Sequence, residues 1–320
     1  MRDILEDVRD ACRTVSEGAT HVRIEAPRLR GYAATFPIAE VTSPADDPGR
    51  QPLGDDEATA SFVIALDAIN FGSGYFPYIR KRPGMSGYFT IAASLREYVQ
   101  RNGPLTSARL RTLTGSDCAT IFGQQHQGEL ADELMAHFAT ALNDLGSLLD
   151  ADHYGSFGAL VRSAGGSAAR LVGILDQMPF FHDVATWRDL RVPLYKRAQI
   201  TAFDLAQAFG GHGLGRFDDL DRLTMFADNL VPHVLRVDGV LVFDDDLCAR
   251  IAREDDIPAG SEPEIEIRAV ALHAVELLGD HLRAAGHEVT SAQLDSALWT
   301  RGGRPEYKAV PRHRTRTVYY

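Results

Sequence analysis

Cysteine is scarce in this 320-residue chain: Cys12, Cys118 and Cys248 are odd in number and far apart. That spacing gives neither a disulfide framework nor a zinc knuckle and suits a reducing compartment. The eleven histidines include no HExxH and no paired-ligand spacing, so neither a metal nor a cofactor is expected. No apolar run approaches a membrane span, and the opening MRDILEDVRDACRTVSEG carries acids from Asp3 onward where a signal peptide would be apolar. The expectation is a cytoplasmic protein that begins with a surface helix. Positive charge is also in deficit, with 33 Lys and Arg against 44 Asp and Glu and a net charge of −11. Tight binding of a long nucleic acid works by neutralising several phosphates, so this balance argues against it. The string Arg312-His313-Arg314-Thr315-Arg316 is a local exception, either a solvated tail or a small basic cluster suited to one phosphate. The second reading favours a mononucleotide.

What is present is helical periodicity. Hydrophobic residues make up 45% and charged residues 24% of the chain, enough for a real core. Leu130, Leu134, Phe138, Leu142, Leu145 and Leu149 form one apolar stripe. The segment 264–285 repeats the pattern and Gly286 follows as a stop. TIAASLREYVQR (90–101) ends before Asn102-Gly103-Pro104, and two helices fit 156–177, broken at Gly165-Gly166 with Ser167 as cap of the second. HVRIEA (21–26) reads as a short strand, whereas SFVIALDAINF (61–71) suits a strand or a buried helix. Thr42–Glu57, rich in Pro, Gly and Asp, reads as a surface loop. No repeat or linker is visible. The expected fold is mainly α, a single domain over 1–320 with few short strands and with 1–60 as a wrapped N-terminal segment.

Two segments carry candidate chemistry. VPLYKRAQITAFDLAQAFG places Lys196 and Arg197 at a helix start, and MFADNLVPHVLRVDGVL places Asp228 at another. A lysine can hold an anionic substrate or a departing base. A fixed carboxylate can stabilise the positive charge that develops on ribose as an N-glycosidic bond breaks. Against this stand a solvated lysine, an ordinary surface arginine and a capping aspartate. Phe226 offers a stacking face or a core ring. Asp295 offers two acceptors or a helix-surface acid. Asp67 and Asn70 interrupt an apolar run and need partners if buried, either substrate or backbone.

The wording of these segments resembles known proteins at two levels. Val-Pro followed by Lys-Arg-Ala-Gln, and Ala227-Asp228-Asn229-Leu230-Val231-Pro232-His233-Val234-Leu235-Arg236, resemble the hairpin and catalytic helix start of helix-hairpin-helix DNA glycosylases. Leu194-Tyr195 stands where that hairpin carries glycines, so the usual backbone grip on a DNA phosphate is not expected. The closer resemblance is to the queuosine salvage protein family. LDAINF (66–71), SAGGSAARLVGIL (163–175), YKRAQI (195–200), LTMFAD (223–228), EIRAVALHAVELL (266–278), LDSALW (294–299) and HRTRTVYY (313–320) follow the family's order. One departure is GSGYFP after LDAINF, where the family carries Ser-Phe-Trp.

That resemblance implies a helical fold like the DNA glycosylases and hydrolysis of queuosine 5′-phosphate, releasing queuine for tRNA modification. It makes Asp228 and Lys196 the catalytic pair, with Lys196 and Arg197 near the 5′-phosphate. It further implies that Phe226 stacks on the base, that Asp295 accepts from its guanine-like edge, and that Asp67 and Asn70 belong to the substrate pocket. Queuine is a 7-deazaguanine, so the N7 that purine glycosidases protonate is carbon and the site must lean on charge stabilisation at the sugar. The rival readings are another nucleoside or nucleotide N-glycosidase and a non-catalytic carrier of a modified base.

Overall fold

The computed structural model describes residues 3–42 and 47–320. It is mainly α, with two two-stranded antiparallel sheets among the described residues. No described helix is long and apolar enough to cross a membrane. The chain falls into two compact units that share it in alternating segments, so no single cut separates them. One unit comprises residues 1–45, 183–196 and 221–316; the other comprises 46–182, 197–220 and 317–320.

The first unit is built around helix Glu262–Ala284, which is buried all round from Glu264 to Leu272. Helix Ile4–Gly18 lays Leu5, Val8, Cys12 and Val15 inward and is capped by Asp3, whose Oδ1 accepts from Leu5 N at 2.9 Å. The expected strand is β1, Val22–Ile24, paired antiparallel with β4, Leu241–Phe243. Glu266, fully buried, fixes its start: Oε2 accepts from the backbone N–H of Thr20, His21 and Val22 at 3.0, 2.6 and 3.3 Å. Its Oε1 takes the Trp187 indole N–H at 3.2 Å. Trp187 ends β2 (Val184–Trp187), which turns through Arg188 into β3 (Leu190–Pro193).

In the second unit the ambiguous apolar run is helix Asp56–Ala68, buried from Ala58 onward. Helix Glu129–Asp152 buries Leu134, Phe138, Leu142, Leu145 and Leu149, and Phe138 meets Phe71 and Phe122 edge-on with centroids 5.2 and 5.4 Å apart. Helix Gly87–Asn102 stops at Gly103, which is left-handed at φ +85°. Phe157–Ser163 and Ala168–Leu175 are the two expected short helices, with Ser167 capping the second. The Asp219 carboxylate also accepts from Ala168 N at 2.6 Å, so that glycine-preceded N-terminus already holds an anion of its own chain.

The reading of Thr42–Glu57 as a surface loop fits residues 51–55, most of them exposed, but needs correction at 47–50. Asp47 is buried, residues 48–50 form a 3₁₀ turn, and Arg50 pairs with Asp204 at 2.8 Å. Composition signals the turn but cannot reveal a distant carboxylate that anchors it. Residues 43–46 lie outside the described residues.

Candidate active site

Leu223–Asp228 runs as an irregular segment with residues 223–227 buried. Backbone groups buried without a helix or sheet need other partners, and side chains supply them. Asp295, buried on helix Ser291–Gly302, accepts from Phe226 N at 3.0 Å. Arg268 donates from Nε to the Ala227 carbonyl at 2.9 Å. Asp228 then stands just before helix Leu230–Val237, and its Oδ1 accepts from Leu230 N at 2.8 Å and Val231 N at 3.2 Å. Both donors use the same oxygen. Oδ2 accepts no hydrogen bond among the described residues, and the side chain is half-exposed. Asn229 holds the N-cap position itself, and Asp228, one residue earlier, satisfies the first two helix N–H groups with a single oxygen.

Lys196 opens helix Lys196–Ala208 and is buried. Before it, Tyr195 sits in the left-handed region at φ +49°. That tyrosine occupies the position where the resembling hairpins use glycine, and a bulky side chain rarely adopts this conformation. Asp183 holds it there. Its carbonyl accepts from Leu194 N at 2.9 Å and Tyr195 N at 3.3 Å, and its Oδ2 accepts from Lys196 N at 3.1 Å. Asp183 also pairs bidentately with Arg268, at 3.0 and 2.6 Å, and Glu264 lies 3.6 Å from the same guanidinium.

Lys196, Phe226, Asp228 and Asp295 all belong to the first unit; Asp67, Asn70 and Arg197 belong to the second. Phe226 is 2% exposed, and Asp295 is buried rather than the helix-surface acid it resembles on its helix. In the second unit Asn70 Nδ2 approaches Asp67 Oδ1 at 3.4 Å, and Asp67 is buried. Arg197 is neither a surface arginine nor open to substrate from these bonds. Its guanidinium donates to the carbonyls of Ala68 at 2.5 Å, Phe180, and Val318 at 2.9 Å. It also lies over the rings of Phe71 and Phe181, 4.8 and 4.7 Å from their centroids. A guanidinium so placed ties segments of the second unit together.

The C-terminal basic cluster also resolves residue by residue. Arg314 pairs with Glu254 at 2.8 Å and Arg316 with Asp256 at 2.9 Å. Arg312 has no ion pair or hydrogen bond among the described residues. Burial lowers its pKa, and the Asp228 carboxylate offsets only part of that shift. His313 is buried and its pKa is driven well down by burial and then by Arg312. His233 is buried with Nε2 2.9 Å from the Tyr307 carbonyl, and burial lowers its pKa to about 4. That histidine is neutral and structural.

Asp183 and Arg268 escaped the sequence reading. The available signal was Glu264, Glu266 and Arg268 set into an otherwise apolar helix, since buried charges need partners. A separate cleft of about 530 Å³ in the first unit is lined by Arg9, Arg222, Glu276 and Arg283. Its arginines are already paired, Arg9 with Glu276 at 3.2 Å, Arg222 with Asp3 at 2.5 Å and Arg283 with Asp280 at 2.8 Å. It contains none of the candidate residues.

Residues 50–320 match the family model described as "Queuosine salvage protein". A protein of Sphaerobacter thermophilus named queuosine 5′-phosphate N-glycosylase/hydrolase is 40% identical over 313 residues, covering 96% of each chain. Proteins of the same name from Mus musculus and Dictyostelium discoideum are 30% and 32% identical. The first alignment covers 98% of both chains, and the second covers 82% of this chain and 79% of its relative.

Proposed function

The chain belongs to the queuosine salvage protein family, and from that premise we propose that it hydrolyses the N-glycosidic bond of queuosine 5′-phosphate. The reaction consumes water and releases queuine and ribose 5-phosphate, returning queuine to tRNA modification in the cytoplasm. The observation that carries the site is Asp228: Oδ1 is fixed by two backbone donors, at 2.8 and 3.2 Å, and Oδ2 accepts no hydrogen bond among the described residues. A carboxylate held in this way needs little reorganisation to face the positive charge that develops at C1′. With carbon in place of N7, the leaving base offers no easy protonation there, and stabilisation at the sugar bears the larger share.

Lys196 is the second catalytic candidate. Arg312 takes over the phosphate reading of the basic cluster because its neighbours Arg314 and Arg316 are paired elsewhere. Phe226 stacks on the base and Asp295 serves its donor edge while also holding the Phe226 backbone. Asp67 and Asn70 are the candidate substrate residues of the second unit.

The test is a substrate panel read by release of free base. Queuosine 5′-phosphate should be cleaved, and adenosine and pyrimidine nucleotides should not, because a site built to pair a donor edge rejects bases that lack it. Guanosine 5′-phosphate is the decisive comparison, since it keeps that edge and has a chemically easier bond. Faster cleavage of guanosine 5′-phosphate would point to a general purine glycosidase. Tight queuine binding without cleavage of either would point to a carrier.

A further inference from the structure

One buried ion pair joins the two backbone points from which Lys196 and Asp228 project. Arg268 and Asp183 are each at most 3% exposed. From Asp183 the contacts run to the head of the Lys196 helix: its carboxylate takes Lys196 N at 3.1 Å while its carbonyl takes Leu194 N and Tyr195 N. From Arg268 they run to the other candidate, since Nε holds the carbonyl of Ala227, the residue directly before Asp228, at 2.9 Å. The bidentate bonds at 3.0 and 2.6 Å close the path. Such a fork fixes distance and plane together, which a lysine ammonium does not.

Two further observations distinguish this pair from general packing. Buried ion pairs are poor stabilisers compared with apolar filling, so stability alone does not explain this one. Tyr195 is also kept in a left-handed conformation at φ +49° by the same Asp183, and strained backbone that the surroundings over-determine gathers at functional sites. We propose that Asp183 and Arg268 are positioning residues that hold the Lys196 helix start and the Ala227–Asp228 peptide in one register for glycosidic cleavage. The inference rests on reading Asp228 and Lys196 as the catalytic pair.

The test uses the full chain and queuosine 5′-phosphate, with rates normalised to the fraction of protein that binds queuine. Arg268→Lys keeps the charge but cannot serve Ala227 and both Asp183 oxygens at once. Its kcat should fall about ten- to hundredfold, the scale of a slight misplacement of reacting groups, while KM stays within about threefold. The neutral pair Asp183→Asn with Arg268→Gln leaves neither charge of the pair stranded and should lose kcat similarly; it decides the matter if Arg268→Lys does not fold. In an Asp228→Asn background, Arg268→Lys should cost no more than about twofold further, because the group it positions has lost its function. A normal kcat in a folded variant, or fully additive losses, overturns the inference. Normal turnover by Asp228→Asn itself would instead sink the reading of the site on which the inference stands.

Discussion

At the scale of single residues, function turns on which polar atoms are already spent. Asp228 satisfies two helix N–H groups with one oxygen and keeps the other, so Asp228→Asn should preserve the fold and queuine binding while lowering kcat by about 10²–10³. Near-normal turnover in a folded variant would remove Asp228 from its role. His233 carries a separate prediction about acid stability. Burial sets its folded pKa at about 4, below the roughly 6.5 expected when unfolded. The unfolded chain therefore binds more protons between those values, and the stability this histidine supports is complete above pH ~6.5 and is lost as pH falls toward ~4. The slope is at most about 1.4 kcal/mol per pH unit. His233→Gln should flatten that limb in denaturation midpoints taken from pH 7 to 4; an unchanged slope would show that the histidine is not buried neutral.

At the scale of elements, the glutamate on the central helix of the first unit organises the chain leading into β1. Glu266→Ala would strand the buried N–H groups of Val22 and Trp187 and leave those of Thr20 and His21, nearer the surface, to solvent. The expected cost is about 3 kcal/mol or more, the scale of leaving charge-assisted donors buried and unpaired. Urea unfolding measures it, and a loss below about 1 kcal/mol would contradict the latch. Elements were the most legible part of the sequence. Ser167 as cap, Gly103 as stop and the Leu134–Leu149 stripe could be read because each signal is local. Arg197 and the Asp183–Arg268 pair could not be read in this way, since nothing within a few residues of either names its partner. The same blindness hid the anchor inside the Thr42–Glu57 loop, where Arg50 ends on Asp204. The candidate site was legible mainly through the order of short motifs, which pointed to Asp228 and Lys196 but not to what holds their backbone.

At the scale of the molecule, two interleaved units share one chain, and the second depends on residues 317–320. Val318 O accepts from Arg197 at 2.9 Å and Tyr320 O accepts from Gly72 N at 2.9 Å. Deleting Thr317–Tyr320 removes both acceptors and a buried ring, and should cost about 3 kcal/mol in chemical denaturation. A truncated chain as stable as the full one would mean that these bonds contribute little. The interleaving also bears on how the molecule is made. Helix Ile4–Gly18 packs against Glu262–Ala284, so at ~5–20 residues per second it waits roughly ten to fifty seconds on the ribosome for its partner. The second unit is completed only by residues 317–320, which are made later still. The first unit cannot close before residues 221–316 are made, nor the second before 317–320, and until then Ile4–Gly18 lacks the helix that covers its apolar face. Slower translation would therefore not let the chain complete one unit well before the other.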